Sequence, residues 1–275
     1  AEISPHCLRH RVDNDSTYEV SSTATGGTTT TLVDTALTQA DNYWGTDTSN
    51  FGVVCGIDPA GNNYDEAFHV TDFDSASDTA TVETAQQAWD TTSKYHIVIG
   101  TGIVAGDKLT LTALTRVAAI HERFETEKFA GGKLYGFIDV HQKQDLYNDT
   151  TYQAIMQYSK PEIIGKFEVI PVLDHNLIVN NHATYREDVD GSANFTTGAV
   201  HVALSFGKDA YNITKWGEGD DWGLWTKIWG DDPEINNLWS LQKYVSWRCL
   251  AAVKVLRATS VIGLMTGATA LPVDF

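Results

Sequence analysis

The stretch on which the fold assignment depends is residues 110–128, TLTALTRVAAIHERFETEK. Its candidate buried positions recur three or four residues apart, which places them on one face of an amphipathic helix. These positions are Leu111, Leu114, Val117, Ala118, His121 and Phe124. Thr110 or Thr112 can cap the start, and Gly131-Gly132 can stop the helical run. The spacing therefore predicts a helix over 110–128.

Strand-like patterns surround this helix on its C-terminal side. The sequence predicts strands at 134–140, 167–173, 177–179 and 199–206, a short helix at 142–147, and a strand-prone segment at 246–256 that leads to a last strand at 260–265. Strands and helices that alternate in this way are typical of an α+β fold, not of a helix bundle or a β-sandwich.

The composition before residue 106 is different, because Thr, Ser, Asp and Gly dominate it. Short alternating segments at 68–73, 79–83 and 95–99 are separated by turn-forming residues at 58–63 and 74–78. Short strands divided by such turns indicate a small all-β domain, which we place at 27–106. Before it, a helical remnant around residues 4–12 is expected.

The net charge of −17 is concentrated at the front of the chain. Residues 1–107 hold 16 acidic against 3 basic side chains, whereas residues 108–275 hold 20 against 16. Tight nucleic-acid binding needs clustered Lys and Arg, so sequence-specific recognition of DNA is excluded. Weak contact with DNA that does not depend on its sequence remains compatible with this charge.

Neither a membrane nor a cofactor is predicted as a partner. The apolar run from Cys249 to Leu256 is interrupted by Lys254 and is too short to cross a bilayer. The three cysteines, Cys7, Cys55 and Cys249, are odd in number and form no Cys-x-x-Cys pair, so we expect reduced thiols.

The candidate catalytic and metal-binding motifs in the sequence are incomplete. His121-Glu122 begins like a zincin helix, but position 125, where the second histidine is needed, is Glu125. His121 is therefore predicted to be a packed core histidine. Pairs within 139–141 and at 174–175 each bring one Asp next to a His, which is too little to define an acid–base site. We predict no catalytic residue, no metal ligand and no enzymatic activity.

Tryptophan is unusually dense near the end of the chain. Six of the eight tryptophans fall within 32 positions: Trp216, Trp222, Trp225, Trp229, Trp239 and Trp247. Large aromatic residues concentrate in cores and at the centres of protein–protein contacts, so these are candidates for a subunit interface or a core. A sugar-binding platform is the rival interpretation.

The C-terminal part of the sequence resembles the major capsid proteins of podophage-type tailed phages. The ordered motif positions are Gly207, Lys208, Asp209, Ala210 and Tyr211, then Asp232, Pro233, Gln242 and Arg248. The apolar segments 199–206, 249–256 and 261–265 accompany them, and upstream the helix 110–128 and residues 135–146 and 162–167 also resemble that family. The resemblance covers about residues 107–270.

The resemblance implies the Hong Kong 97-type capsid fold, an α+β fold with axial and peripheral domains, here with a small all-β domain inserted. Residues 1–26 would then be an N-terminal segment at the end of the peripheral-domain spine helix. Residues 27–106 would be the inserted domain, and residues 107–275 the axial domain that returns into the peripheral domain.

The function implied by this resemblance is self-assembly into pentamers and hexamers of an icosahedral shell that encloses double-stranded phage DNA. The implied partners are further copies of the chain, with portal, scaffolding and cement proteins as additional candidates. The implied location is the virion, after synthesis in the cytoplasm of a host bacterium.

Two alternatives stay open at this point. A glycan-binding or adhesin-type β-rich surface protein predicts monomers or trimers and no helix at 110–128. A glycan hydrolase predicts two carboxylates facing each other across a cleft.

Overall fold

The computed structural model describes residues 7–13, 19–38, 52–99, 103–104, 106–159, 174–180, 186–188, 199–215, 225–229, 244–248 and 251–267. Contacts divide the chain into two compact units, Tyr211–Lys254 and, apart from residue 1, the remainder. Each unit is described by itself below.

The described elements are seventeen strands and three α-helices. In chain order the strands are β1 Leu8–Arg11, β2 Glu19–Thr23, β3 Gly26–Gly27, β4 Thr31–Val33, β5 Gly52–Gly56, β6 Ala67–Asp74, β7 Thr79–Val82, β8 Lys94–Ile99, β9 Leu134–Ile138, β10 His175–Val179, β11 Arg186–Asp188, β12 Ala199–Phe206, β13 Tyr211–Lys215, β14 Trp225–Trp229, β15 Tyr244–Arg248, β16 Ala251–Val255 and β17 Val261–Thr266. The helices are α1 Leu111–Arg123, α2 Val140–Asn148 and α3 Thr150–Ser159.

A mixed six-stranded sheet forms the centre of the larger unit. Its order is β1-β17-β12-β9-β10, with β11 paired to β12. The strand β12 runs antiparallel to both β17 and β9, whereas β1 is parallel to β17 and β10 is parallel to β9. Leu114 and Val117 of α1 belong to the same buried cluster as Ile138 and Leu264 of the sheet. The apolar face that the residue spacing predicted for the helix therefore packs against the six-stranded sheet.

The second sheet has seven strands in the order β2-β8-β5-β6-β7-β4-β3. Its two end strands, β2 and β3, are separated in sequence only by Ala24 and Thr25. The Ala24 N–H donates to the Ser93 carbonyl at 2.9 Å, and the Thr25 N–H donates to the Val33 carbonyl at 2.8 Å. One bending segment thus joins both ends of the sheet, which closes into a barrel.

The strand β5 connects the barrel to the rest of the larger unit. Successive side chains of a strand point to opposite faces. Accordingly, Val54 lies in the barrel core with Trp89, whereas Val53 and Cys55 lie in the core of the six-stranded sheet. All five residues of β5 are buried. The barrel therefore shares its wall with the second core, and its sheet begins at Glu19. The inserted-domain bounds 27–106 stay a prediction.

Most predicted elements are confirmed, with bounds that differ by at most two residues for those that correspond to a single strand or helix. The predicted strands at 68–73, 79–83 and 95–99 correspond to β6, β7 and β8, and those at 134–140, 177–179, 199–206 and 260–265 to β9, β10, β12 and β17. The predicted helix at 142–147 lies within α2. The strand-prone segment 246–256 divides into β15 and β16. The predicted strand at 167–173 lies outside the described residues.

Two helical expectations were wrong in part. The helix expected around residues 4–12 is not present over Leu8–Arg11, which form a strand paired in parallel with Ile262–Met265. Backbone pairing with the central sheet outweighs the weak local preference of that segment. The helix predicted at 110–128 ends at Arg123, because Glu125 adopts a left-handed conformation with φ of 50°. Gly131 and Gly132, also at positive φ, lie in the turn before β9.

Across the described part of the chain, no helix has the length and apolarity that a bilayer crossing requires.

Candidate functional site

The smaller unit consists of strand pairs that are nested in sequence. The strand β13 pairs with β16, and between them β14 pairs with β15. This is the order expected when a chain runs outward along one strand and returns along the other. We call residues 211–255 the ribbon.

The ribbon contains all six clustered tryptophan positions. Trp225 and Trp229 lie in β14, where the antiparallel register sets them opposite Arg248 and Tyr244, and Trp247 lies opposite Thr226. Trp216, Trp222 and Trp239 lie outside the described residues, as do the motif positions Asp232, Pro233 and Gln242. The assignment of these tryptophans to a core or a subunit interface stays a prediction.

Apolar side chains are exposed on and beside the ribbon. Val245 of β15 is 66% exposed, Val253 of β16 is 37% exposed, and Leu256, directly after β16, is 54% exposed. Isolated two-stranded ribbons are marginally stable in water and need another apolar surface for independent stability. The ribbon therefore exposes apolar surface, and burial of that surface against another molecule would stabilise it.

The base of the ribbon is built by the Gly207–Tyr211 motif. The Gly207 N–H donates to the Ser260 carbonyl at 3.2 Å, and the Lys208 N–H donates to the Glu127 carbonyl at 2.8 Å. A Cβ atom at Gly207 would lie 2.2 Å from Thr126 Cγ2 and 2.6 Å from the Glu127 carbonyl oxygen. Only glycine fits this position.

The remaining motif residues continue the base. Ala210 is fully buried, and its carbonyl oxygen accepts hydrogen bonds from the backbone N–H groups of Leu256 at 3.0 Å and Arg257 at 3.4 Å. On the surface, Lys208 Nζ lies 2.6 Å from Glu127 Oε1, and this hydrogen bond lowers the pKa of the Glu127 carboxyl. The motif is thus bound to residues 127 and 256–260 of the larger unit, directly before β13 begins.

A buried ionic network joins the barrel to the six-stranded sheet and α1. His10 Nδ1 lies 2.5 Å from Glu19 Oε1, and the Arg116 guanidinium donates to the same oxygen at 2.8 Å. Arg116 also donates to the Arg11 carbonyl, and the Arg11 N–H donates to Glu19 Oε2. One carboxylate from the barrel is therefore held by groups on β1 and α1.

The spacing of this network alone would admit a metal ion, since ligand atoms of His10, Glu19 and His96 lie within 4.8 Å of one another. The remaining contacts argue against one. His96 uses both ring nitrogens, Nδ1 with Ser21 Oγ at 2.7 Å and Nε2 with the Arg9 carbonyl at 2.9 Å. The Arg116 guanidinium beside Glu19 also repels a cation. We interpret the group as a structural ion-pair network.

The charges of this network are set by its surroundings. Burial alone would raise the pKa of Glu19, but its hydrogen bonds with His10 and with the Arg11 N–H help to outweigh burial, and that pKa is lowered to about 2. Burial lowers the pKa of His96 to about 3. At neutral pH, Glu19 is therefore charged and His96 is neutral.

The core of the six-stranded sheet holds a second polar group. His121 Nε2 and His175 Nε2 each lie 2.9 Å from Ser205 Oγ, so the hydroxyl donates to one imidazole and accepts from the other. The predicted burial of His121 is confirmed. Ser205 is buried between the two rings, which leaves its oxygen no access to a substrate.

Both aspartates of the Asp–His pairs considered from the sequence have partners elsewhere in the chain. Asp139 caps α2 and its Oδ2 lies 2.9 Å from Nδ1 of His201, on β12, where both residues are buried. Asp174 forms an ion pair with Lys128. Sequence reasoning missed His201 because it lies 62 positions from Asp139.

Comparison with known proteins gives matches among solved structures only. No protein-family model matches the chain, and no curated protein matches it. A capsid structure of cyanophage P-SCSP1u matches at a TM-score of 0.41 and 20% identity, over 62% of this chain and 51% of that chain.

Two further solved structures are similar. The capsid of Ralstonia phage GP4 matches at a TM-score of 0.43 and 14% identity, over 64% of this chain and 51% of that one. The head structure of Helicobacter pylori bacteriophage KHP40 matches at 0.39 and 13%, over 58% and 59%. All three are phage capsid or head structures. The chain therefore spans between half and three fifths of the length of these solved chains.

Proposed function

We propose that this protein is a structural capsid protein whose copies associate into a shell, and that the ribbon makes contacts between copies. The observation that carries the proposal is the ribbon itself. It combines two-stranded pairing, clustered tryptophan positions and exposed Val245 and Val253 with a base fixed by Gly207 and Ala210. Such a ribbon gains stability when a neighbouring molecule covers it.

The shell that we propose is icosahedral and encloses double-stranded phage DNA. Identical copies would form pentamers and hexamers through heterologous contacts, in which the ribbon of one copy meets a different surface on the next. Such a contact generates a closed ring when the rotation from one copy to the next is a whole-number fraction of a full turn. The sequence resemblance to podophage-type capsid proteins supports this organisation, with axial and peripheral domains of the Hong Kong 97 type.

The remaining parts of the proposal concern partners and location. The protein would reside in the virion after synthesis in the host bacterial cytoplasm, would act without enzymatic activity, and would meet portal, scaffolding and cement proteins during assembly. With a net charge of −17, its contact with packaged DNA would be weak and independent of sequence.

Sedimentation and negative-stain microscopy of the purified chain test the proposal. Rings or closed shells are expected. The Val245→Lys variant should lower the assembled fraction without lowering the thermal midpoint of the unassembled chain, because an exposed valine contributes little to the isolated fold. The control, Asn212→Lys, places the same charge at an exposed polar position of the ribbon and should assemble like the wild type.

The proposal is wrong if the wild-type chain stays monomeric at every concentration and salt condition that maintains its fold. A monomer or trimer that binds glycans on an array would favour the adhesin alternative instead.

A further inference from the structure

A cleft outside the ribbon has no role so far. It lies in the larger unit, between the loop after β5 and the end of α1, and has a volume of about 390 Å³. Its apolar wall is made by Ile57, Pro59 and Phe124. This volume is in the range of pockets that hold a ligand or a few side chains.

Charged groups line the rest of the cleft, namely Arg123, Glu125 and Arg257, next to Tyr64. Arg257 is occupied, since its Nε donates to Asp65 Oδ2 at 3.0 Å. Asp65 in turn accepts from the N–H and hydroxyl groups of Thr259. The Asp65 carboxylate is therefore bound by Arg257 and Thr259 within the fold.

Arg123 is the available cation. It is exposed, and among the described residues it has neither a hydrogen bond nor an ion pair. Glu125, two residues further on, is also exposed, and its left-handed backbone sets it at the turn that ends α1. The cleft thus presents a guanidinium that has no partner in the described part of the chain, beside apolar side chains and the exposed Glu125.

This combination fits a ligand that carries carboxylates next to an aromatic ring. A guanidinium binds a carboxylate through two parallel hydrogen bonds and also stacks on aromatic faces. An apolar wall beside it adds buried area to a tryptophan or tyrosine.

The chain itself contains a segment of this composition. Residues 216–224, WGEGDDWGL, carry three acidic residues, two tryptophans and no basic residue, and they belong to the ribbon. An arginine on one copy that has no acidic partner within the described residues is a favourable contact for an acidic segment of another copy.

We propose that the cleft at Arg123 receives residues 216–224 of a second copy, with Asp220 or Asp221 on the guanidinium and Trp222 against the apolar wall. This inference rests on the proposed function, since it names the surface that the ribbon meets. It supplies a heterologous contact, because the segment and the cleft are different surfaces of the same chain.

A peptide of residues 216–224 tests the recognition directly. Titrated against the full chain at a concentration below that at which the chain assembles, it should bind the wild type, and Arg123→Ala should weaken binding about tenfold. Replacing Asp220 and Asp221 by Asn in the peptide should have the same effect. Lys108→Ala, which removes a cation elsewhere, should leave the affinity unchanged. Equal affinity for the wild type and Arg123→Ala would overturn the inference.

A cross-link separates contacts between copies from contacts within one chain. In the Arg123→Cys, Asp221→Cys double variant, mild oxidation of assembled particles should give covalent oligomers on a denaturing gel, and neither single variant should. A cross-link confined to monomers, or no cross-link in particles that otherwise form normally, would overturn the inference and leave the proposed shell function standing. Failure of the wild type to form particles would instead contradict the proposed function.

Discussion

The backbone N–H of Leu256 donates a hydrogen bond to the carbonyl oxygen of Ala210 at 3.0 Å, and this bond ties together the two ends of the ribbon. Ala210 belongs to the Gly207–Tyr211 motif and directly precedes β13, and Leu256 directly follows β16, the last strand of the ribbon. Ala210 and Leu256, which are distant in sequence, are therefore held together by a backbone hydrogen bond. The strand pairs between them in sequence, β13 with β16 and β14 with β15, are each only two-stranded.

Gly207→Ala tests the importance of the base. The added Cβ would lie 2.6 Å from the Glu127 carbonyl oxygen, so the backbone must shift. We expect a loss of about 1–3 kcal/mol in the free energy of unfolding, measured by urea denaturation, together with reduced assembly. Gly106→Ala is the control, since its Cβ would meet nothing nearer than 3.9 Å. Equal stability of the two variants would contradict this account.

Gly27→Ala tests the closure of the barrel. Gly27 has a φ of 148°, and a Cβ there would lie 2.2 Å from the Thr31 carbonyl oxygen. We expect a loss of about 2–4 kcal/mol, because strain and steric overlap act together.

The neighbouring glycine provides a matched control for this prediction. A Cβ at Gly26 would meet nothing within 4 Å, so Gly26→Ala should change the free energy of unfolding by less than about 1 kcal/mol. Near-ultraviolet circular dichroism, which reports the packing of the buried Trp89, should change in the first variant only.

The elements that were predicted best from the sequence are those with a single strong period of apolar residues. The helix α1 follows its apolar spacing, and Thr110 caps it by accepting a hydrogen bond from the Ala113 N–H. Strands β6 to β8 follow from alternation between clear turns. The strand β5 was missed because Gly52–Gly56 is buried on both faces and shows no alternation. The helix α3 was missed because Thr and Tyr favour it weakly.

The candidate site was predicted only in part, for a reason of sequence distance. The motif Gly207–Tyr211 was recognised as a unit, but its partners come from two other segments, Glu127 from one and Leu256 and Ser260 from the other. Likewise Arg123 and Arg257 line the same cleft although 134 positions separate them in sequence. A single sequence does not show such long-range contacts, because no local period encodes them.

Glu19→Gln tests the network that joins the barrel to the sheet. Loss of the charge leaves the Arg116 guanidinium without its counter-ion and alters the hydrogen bond between Glu19 and His10, and removing one partner of a buried ion pair typically costs about 3–5 kcal/mol. Since Arg116 is partly exposed, we expect about 2–3 kcal/mol in urea denaturation at pH 7. Asp74→Asn, which alters an exposed turn carboxylate, is the control.

The same network gives a metal prediction. Because Arg116 and both ring partners of His96 occupy the ligand atoms, addition of Zn²⁺ or of a chelator should leave the thermal midpoint unchanged. A rise in the midpoint with Zn²⁺ that disappears in His10→Gln would show that the group binds metal after all.

Lowering the pH should destabilise the protein at pH values well above those at which carboxylates take up protons. Burial lowers the pKa of His96 and of His121 to about 3 and that of His175 to about 4, against an ordinary value of 6.5. As the pH falls below 6.5, the unfolded chain takes up protons that the folded chain refuses, so stability that is fully present above pH 6.5 is lost on the way to pH 4. Each histidine contributes a slope of at most about 1.4 kcal/mol per pH unit.

The variant His121→Gln isolates one part of this slope. An amide can still reach Ser205 but has no proton to gain, so the variant should lose less stability than the wild type when the pH is lowered from 6.5 to 4.5. Below pH 4.5 the loss continues in both proteins, because Glu19, with a folded pKa of about 2, then begins to bind a proton in the unfolded chain. Urea denaturation at intervals between pH 7.5 and pH 4 measures both effects. Parallel curves for the wild type and His121→Gln would mean that His121 takes up its proton inside the folded core, contrary to its burial between α1 and the sheet.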